Sequence, residues 1–474
     1  LFLLNPQINL WRFEVIYTFP SEISSSSLNF IINQPPVNGS CSITPLNGTT
    51  SSLFDISCPN WFDEDDIKDY SVYSWTNNFS EQTIIAYSLV STFQVRLPLG
   101  NDQTSFVHLT VYIRDTLDCI TKFNLSSVTV TSDSIGIMNL INDIQNSSNQ
   151  LTTNPIIQLL ASGNQNIIGQ VITSLSQQFN NINNENINQA ISNGVPSTSI
   201  SISSLEDQHI QGTSILLNKS ALIEFNNQLN MYANTREYLM QFITKLIITN
   251  SYSIQLQSSL LAQLTKATNQ LTRITLKSVS DKCYQLAIML NSIKTNIPYE
   301  DVQSAATQLI QCAANLLSAV NGPLQQRISV LDSDSTQATT FPSDYDTDLE
   351  FAWSNLNLFA DGNDFSWRTI QKNRNIYYQK QLANQITNQM NNLKSLLTSS
   401  LNIYLNIGQN ILINTTQVFM SLETKANEFF SNKFPQNLNN NSKISIRSMM
   451  EPLASYDNTT YTNLSRLVTF SILD

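Results

Sequence analysis

The sequence is poor in charge, and the poverty is uneven. Only 12% of its 474 residues are Asp, Glu, Lys or Arg, and just 24 are basic. No Lys/Arg cluster occurs anywhere, which excludes nucleic acid as a partner, because neutralising phosphates needs grouped cations. The net charge of −11 points the same way. Histidine is nearly missing: His108 and His209 lie far apart, and neither has a Cys or Asp partner at ligand spacing. There is no Gly-x-Ser-x-Gly, no P-loop and no His-Glu-x-x-His, so the chain is read as a non-enzyme with no cofactor. No apolar run approaches the ~18–20 residues that span a bilayer. The chain opens at Leu1 without a methionine and closes on a strand-like run, Val468-Thr469-Phe470-Ser471-Ile472-Leu473-Asp474. Both ends read as cuts through a longer protein.

Asn, Ser, Thr and Gln are plentiful, so the surface is neutral-polar. Asn-x-Ser/Thr acceptors stand at Asn38, Asn47, Asn78, Asn124, Asn146, Asn218, Asn414, Asn440, Asn458 and Asn463. They are read as N-glycosylation sites because the cysteines also indicate an oxidising compartment. Cys41 and Cys58 flank the turn residues Leu46-Asn47-Gly48-Thr49, and their midpoint falls inside that turn. In a hairpin the two lie nearly opposite, so a disulfide is expected. Cys283 and Cys312 sit on two helical stripes, Val279/Cys283/Leu286/Leu290 and Leu309/Cys312/Leu316, separated by the break at Thr295-Asn296-Ile297-Pro298. Antiparallel helices set these thiols level, and a bridge closing roughly 30 residues contributes about 3–4 kcal/mol on the chain-entropy model. The plainer reading is two buried free thiols behaving as small hydrophobes. Cys119 is left over: it is read as buried or paired outside this span, ahead of a reactive thiol.

The expected fold class is α+β and multidomain. Residues 1–132 read as an N-terminal β-sandwich, with β-branched and aromatic runs such as Phe13–Tyr17, Ser71–Trp75 and Phe106–Ile113. Residues 133–325 read as a central helical region with apolar residues spaced at three and four, Leu239/Phe242/Ile243/Leu246 among them. That stripe is read as domain core ahead of a partner contact. Residues 326–350 are an acidic, Ser/Thr-rich linker. Residues 351–474 hold a helix from roughly Asn373 to Leu401, then short strand-like runs at Ile411–Ile413, Val418–Leu422, Ile444–Ile446 and Leu467–Phe470.

Pro35-Pro36, Gly39-Ser40-Cys41, Cys58, Trp61-Phe62-Asp63 and Tyr70 follow one another in an order that resembles the receptor-for-egg-jelly (REJ) module of polycystin-family membrane proteins. The module's later signature is matched by Leu97-Pro98-Leu99-Gly100 and by the alternating run Val107 to Asp115. Departures are Ile67-Lys68 where Pro-Leu is usual, and Asp118-Cys119 where Gly-Ala is common. Less specifically, Tyr238 to Leu264 and Leu271 to Ile293 look like the helical subdomain of a GAIN (autoproteolysis-inducing) region. Gly408-Gln409-Asn410 and Thr415-Thr416-Gln417-Val418 look like the start of its β subdomain, so the C-terminal part reads as an incomplete GAIN-like unit. The resemblance implies a glycosylated, disulfide-bonded region on the extracellular side of the plasma membrane, part of a membrane receptor or calcium-channel subunit. The implied partners are an extracellular protein or glycan ligand and the membrane portion of the same parent chain. The competing reading is a freestanding secreted glycoprotein with a binding or structural role.

Three runs invite chemistry. His108-Leu109-Thr110 matches the tripeptide cleaved in GAIN regions, but it alternates with Val107 and Val111 as a regular strand, which lacks the strained bend that attack on one's own backbone needs. Asp63-Glu64-Asp65-Asp66 offers carboxylates to Ca²⁺; the preferred reading is a turn in which Asp bonds local backbone. Asp344-Tyr345-Asp346-Thr347-Asp348 has the first spacings of an EF-hand, yet Leu349 stands where glycine is needed and Asn355 where a bidentate carboxylate is. No catalytic or metal site is assigned.

Overall fold

A computed structural model describes residues 10–18, 23–76, 82–101, 103–145, 153–193, 219–321, 367–405, 410–415, 418–426, 444–449 and 464–472. The acidic linker, His209 and the EF-hand-like run lie outside them. The chain divides into two compact units, Leu1–Thr131 and Ser132–Asp474.

Among the described residues the first unit is all β. β1 (Leu10–Thr18) and β2 (Ile23–Ile31) form a separate antiparallel ribbon. The rest are β3 (Ser42–Thr44), β4 (Asn47–Thr49), β5 (Phe54–Ser57), β6 (Ile67–Trp75), β7 (Thr83–Ser88), β8 (Thr92–Val95), β9 (Phe106–Asp115), β10 (Ile120–Asn124) and β11 (Val128–Thr131). One sheet has the order β4-β11-β9-β6-β7, with β10 also on β9; the other has the order β3-β5-β8. Period-two alternation decides how they meet. Val107, Leu109, Val111 and Ile113 of β9 all point inward, and share one core with Ile43, Phe54, Ile56 and Val95 of the smaller sheet. The two sheets are therefore the halves of a sandwich. On the other side of β9, His108 stacks on Trp75 at 5.6 Å and the Tyr112 ring meets Tyr73 at 4.4 Å.

The second unit carries α1 (Ser134–Gln145), α2 (Pro155–Leu160), α3 (Gln165–Ser192), α4 (Lys219–Lys245), α5 (Ser251–Thr265), α6 (Arg273–Ile293), α7 (Tyr299–Asn321) and α8 (Trp367–Asn402). Four strands follow: β12 (Asn410–Asn414), β13 (Val418–Ala426), β14 (Ile444–Met449) and β15 (Leu464–Ile472), an antiparallel sheet of order β12-β13-β15-β14. The abundant small polar residues start these helices. Asn154, Asn164 and Thr272 cap α2, α3 and α6 through their side-chain oxygens, and Asn250 with Ser253 makes a reciprocal capping box on α5. Leu239, Ile243 and Leu246 are buried, so most of that stripe is core. β12 and β13 join the same core through Ile411, Ile413, Val418 and Met420. Among the described residues no helix is long and apolar enough to cross a membrane.

α5 is buried on almost every side, and polar groups buried with it need internal partners. Arg236 of α4, fully buried, supplies the main set. Its Nε donates to Gln270 Oε1 at 2.9 Å, one Nη to the Leu264 carbonyl at 2.6 Å, and the other to Asn180 Oδ1 at 2.8 Å. The guanidinium also lies over the Phe179 ring at 5.7 Å. Burial pulls its pKa down to about 9. Asn183 extends the network by exchanging bonds with Asn269 and accepting from Gln270 Nε2. Arg236→Ala orphans a carbonyl and two amide oxygens, and should cost the helical unit about 3 kcal/mol or more. Far-UV circular dichroism through a urea titration measures the loss as a lower midpoint.

Candidate functional site: the disulfide end of the sandwich

The turn-bearing residues converge on one end of the β unit. β3 and β5 pair with Ser42 opposite Ser57, so Cys41 and Cys58 emerge side by side and are bridged. The link between them is not a tight hairpin turn. It leaves its own sheet as β4 and runs parallel to β11 in the other, with Asn47 opposite Thr129. Three further contacts fix the bridge's surroundings: Cys58 N–H donates to the Ser91 carbonyl at 2.8 Å, and Val37 and Phe62 exchange backbone bonds of 2.9 and 3.0 Å.

Gly39 and Trp61 are coupled by space alone. A Cβ on residue 39 would lie 2.3 Å from the Trp61 ring, so the indole seats directly on bare backbone. Trp61 then meets Phe123 edge-on at 6.0 Å and packs against the sandwich core. Leu97-Pro98-Leu99-Gly100 is equally structural. Leu97 is buried, and a Cβ on Gly100 would sit 1.9 Å from the Ser105 carbonyl oxygen.

The acidic run is held by its own backbone. Asp63 Oδ1 accepts from the Asp65 N–H at 2.9 Å, and the Asp66 carbonyl accepts from Thr116 N–H at 3.2 Å. Asp118, in the β9–β10 turn, takes Lys68 Nζ at 2.7 Å. Buried Asp115 is the centre of this turn. One carboxylate oxygen accepts from the Leu117 and Cys119 N–H groups, and the other from Asn33 Nδ2. Asn33 belongs to no motif singled out in the sequence. Its bond to Asp115, like that of Thr121 Oγ1 to the Pro36 carbonyl, ties the proline lead to the β9–β10 turn. Among the described residues no group of three or more His, Cys, Asp or Glu side chains could hold a metal ion.

Cys119 is a half-buried free thiol beside the Asn33 carbonyl. Burial, then the Asp115 charge, push its pKa up. His108-Leu109-Thr110 lies in the regular ladder of β9, His108 opposite Trp75 and its Nδ1 2.9 Å from Ser127 Oγ. Loops from four parts of the chain thus meet at one end, where Val37, Phe62, Leu89, Val90 and Leu117 remain exposed.

The acceptors Asn38, Asn47 and Asn124 are exposed in the β unit, Asn38 with a φ of 66°. Asn414 closes β12. Asn78, Asn146, Asn218, Asn440, Asn458 and Asn463 lie outside the described residues. In the helical unit Cys283 and Cys312 face each other as buried thiols with sulfurs 3.1 Å apart, so the expected bridge is not present as a bond.

Gly39→Ala forces the Trp61 ring off its seat. A loss of about 1–3 kcal/mol is expected, read as a lower melting temperature with a red-shifted tryptophan emission. Because its pKa is raised, Cys119 holds less thiolate at neutral pH than an ordinary thiol. Iodoacetamide should therefore alkylate it several-fold more slowly than free glutathione, the rate rising with pH; mass spectrometry of the Cys119 peptide follows it.

No curated protein is similar enough to the chain to count as a match. Residues 9–174 match the family model of the REJ domain, a span running from the β1–β2 ribbon through α1 and α2 into α3.

Proposed function

We propose that the chain is an extracellular ligand-binding or adhesion region of a polycystin-like membrane receptor or channel subunit. The observation that carries this reading is the Cys41–Cys58 bridge with Trp61 seated on Gly39, lying within residues that match the REJ domain. A disulfide at a sheet edge belongs to an oxidising compartment. The ligand is an extracellular protein or glycan, met by the exposed apolar loops at the bridged end. Such loops on a scaffold fixed by a covalent bond and buried hydrogen bonds lose little entropy on binding. The helical unit with its terminal sheet is an incomplete GAIN-like region that passes binding or load to the membrane portion of the parent chain. The chain works by binding, without catalysis or a cofactor.

Two measurements test this. An antibody against the β unit should stain intact cells that make the parent chain; staining only after permeabilisation overturns the extracellular assignment. The chain secreted from animal cells should lose mass on N-glycosidase treatment, with glycans at Asn38, Asn47 or Asn124. Unmodified peptides at all three, in secreted material, remove the glycoprotein reading.

A further inference from the structure

The thiols of Cys283 and Cys312 are an odd pair for a helical core. Both are fully buried, Cys283 among Val279, Leu286 and Leu290 of α6 and Cys312 among Leu309 and Leu316 of α7. Cysteines used only as small hydrophobes need not face each other. Here sulfur meets sulfur at 3.1 Å, about 1 Å beyond a bonded distance. The hairpin that carries them is held at its tip: Tyr404 OH donates to the Ile297 carbonyl at 2.7 Å, and Lys294 Nζ reaches Ser399 Oγ at 2.8 Å. Val279 and Leu286 of α6 and Leu309 and Leu316 of α7 are buried in one core, so the sulfurs meet without a bond having drawn them together.

We propose that Cys283 and Cys312 close into a disulfide that staples α6 to α7 and removes the enclosed hairpin from extension under load. The inference rests on the extracellular reading above, which supplies the oxidising compartment. The oxidant is a protein or glutathione disulfide. The two thiols give up two electrons and two protons, one Sγ–Sγ bond forms, and the oxidant's S–S bond is reduced to two thiols. Exchange passes through a thiolate and a mixed disulfide, which a closed core does not admit. Burial also pushes the Cys283 thiol well up. The bond therefore forms during folding, as α7 pairs with α6 and while the hairpin still opens to solvent, and resists reductant afterwards. Cys41 is only partly buried, so its bridge to Cys58 is reduced first.

The mechanical consequence is a length. The bridge joins residues 29 apart in sequence. At about 3.4 Å per extended residue, the closed loop withholds about 100 Å of chain from a pulling force.

The whole chain, made through a secretory pathway and alkylated before digestion, is mapped without reduction. A cross-linked peptide pair holding Cys283 and Cys312 is expected. Optical-tweezer unfolding of the same material should show the helical unit's contour length growing by about 100 Å in Cys283→Ala/Cys312→Ala relative to the unaltered chain. The proposal is overturned if Cys283 and Cys312 are recovered singly alkylated while Cys41–Cys58 is bridged, which leaves the compartment standing. Both pairs alkylated would bring down the compartment and the staple together. A mapped bond with equal contour lengths would refute the mechanical role. Alanine is well tolerated inside helices, and matched circular dichroism of the double variant confirms that it folds.

Discussion

A cation without an anion organises the helical unit. Among the described residues no carboxylate pairs with Arg236, and its charge is spread over a backbone carbonyl and two side-chain amide oxygens. A buried guanidinium is tolerated only where such acceptors are already aimed at it. α3, α4 and the link between α5 and α6 must therefore hold their mutual positions. The apolar contacts of α5 with α3 and α7 are compatible with small slips along helix axes; the fork geometry of the guanidinium is not. Asn180, Asn183 and Gln270 satisfy this network's buried donors without adding charge.

The β unit meets the same requirement through backbone. Asp115 is buried, yet its oxygens are occupied by two turn N–H groups and an amide, so it serves as a loop fastener. The acidic run before β6 behaves alike at the surface. Residues that look from sequence like ion ligands are engaged in shaping the ends of strands. Those ends expose apolar Val37, Phe62, Leu89, Val90 and Leu117 beside polar Asn38, Asn60 and Glu64.

The legible parts of the sequence were those whose signal is local. Alternation in β9 and spacing in α6 and α7 reveal element type because one face of each is buried. Cys41 and Cys58 were legible as a pair because the strands beside them are in register. The path between them was not: β4 pairs with β11, some eighty residues away, and nothing within Asn47–Thr49 announces that partner. Arg236 was equally silent, because a lone arginine in a polar stretch looks like a solvated surface residue. Asn33 became meaningful only when folding brought Asp115 beside it. The Gly39–Trp61 contact lay inside a recognised pattern, but the reason for the pattern is a distance of approach that sequence does not encode.

The route of the chain between the bridged cysteines bears on how the β unit survives attack. Residues 41–58 make a covalently closed ring that begins in one sheet, crosses to the other at β4, and returns. Its exposed tip near Ser51 and Leu53 is the sort of loop that proteases cut. A single cut there opens the ring but releases no fragment. Both cut ends stay on the sandwich, one held by β4 on β11 and the other by β5 between β3 and β8, and the disulfide keeps them one molecule. A nicked chain would run intact on a gel until it is reduced.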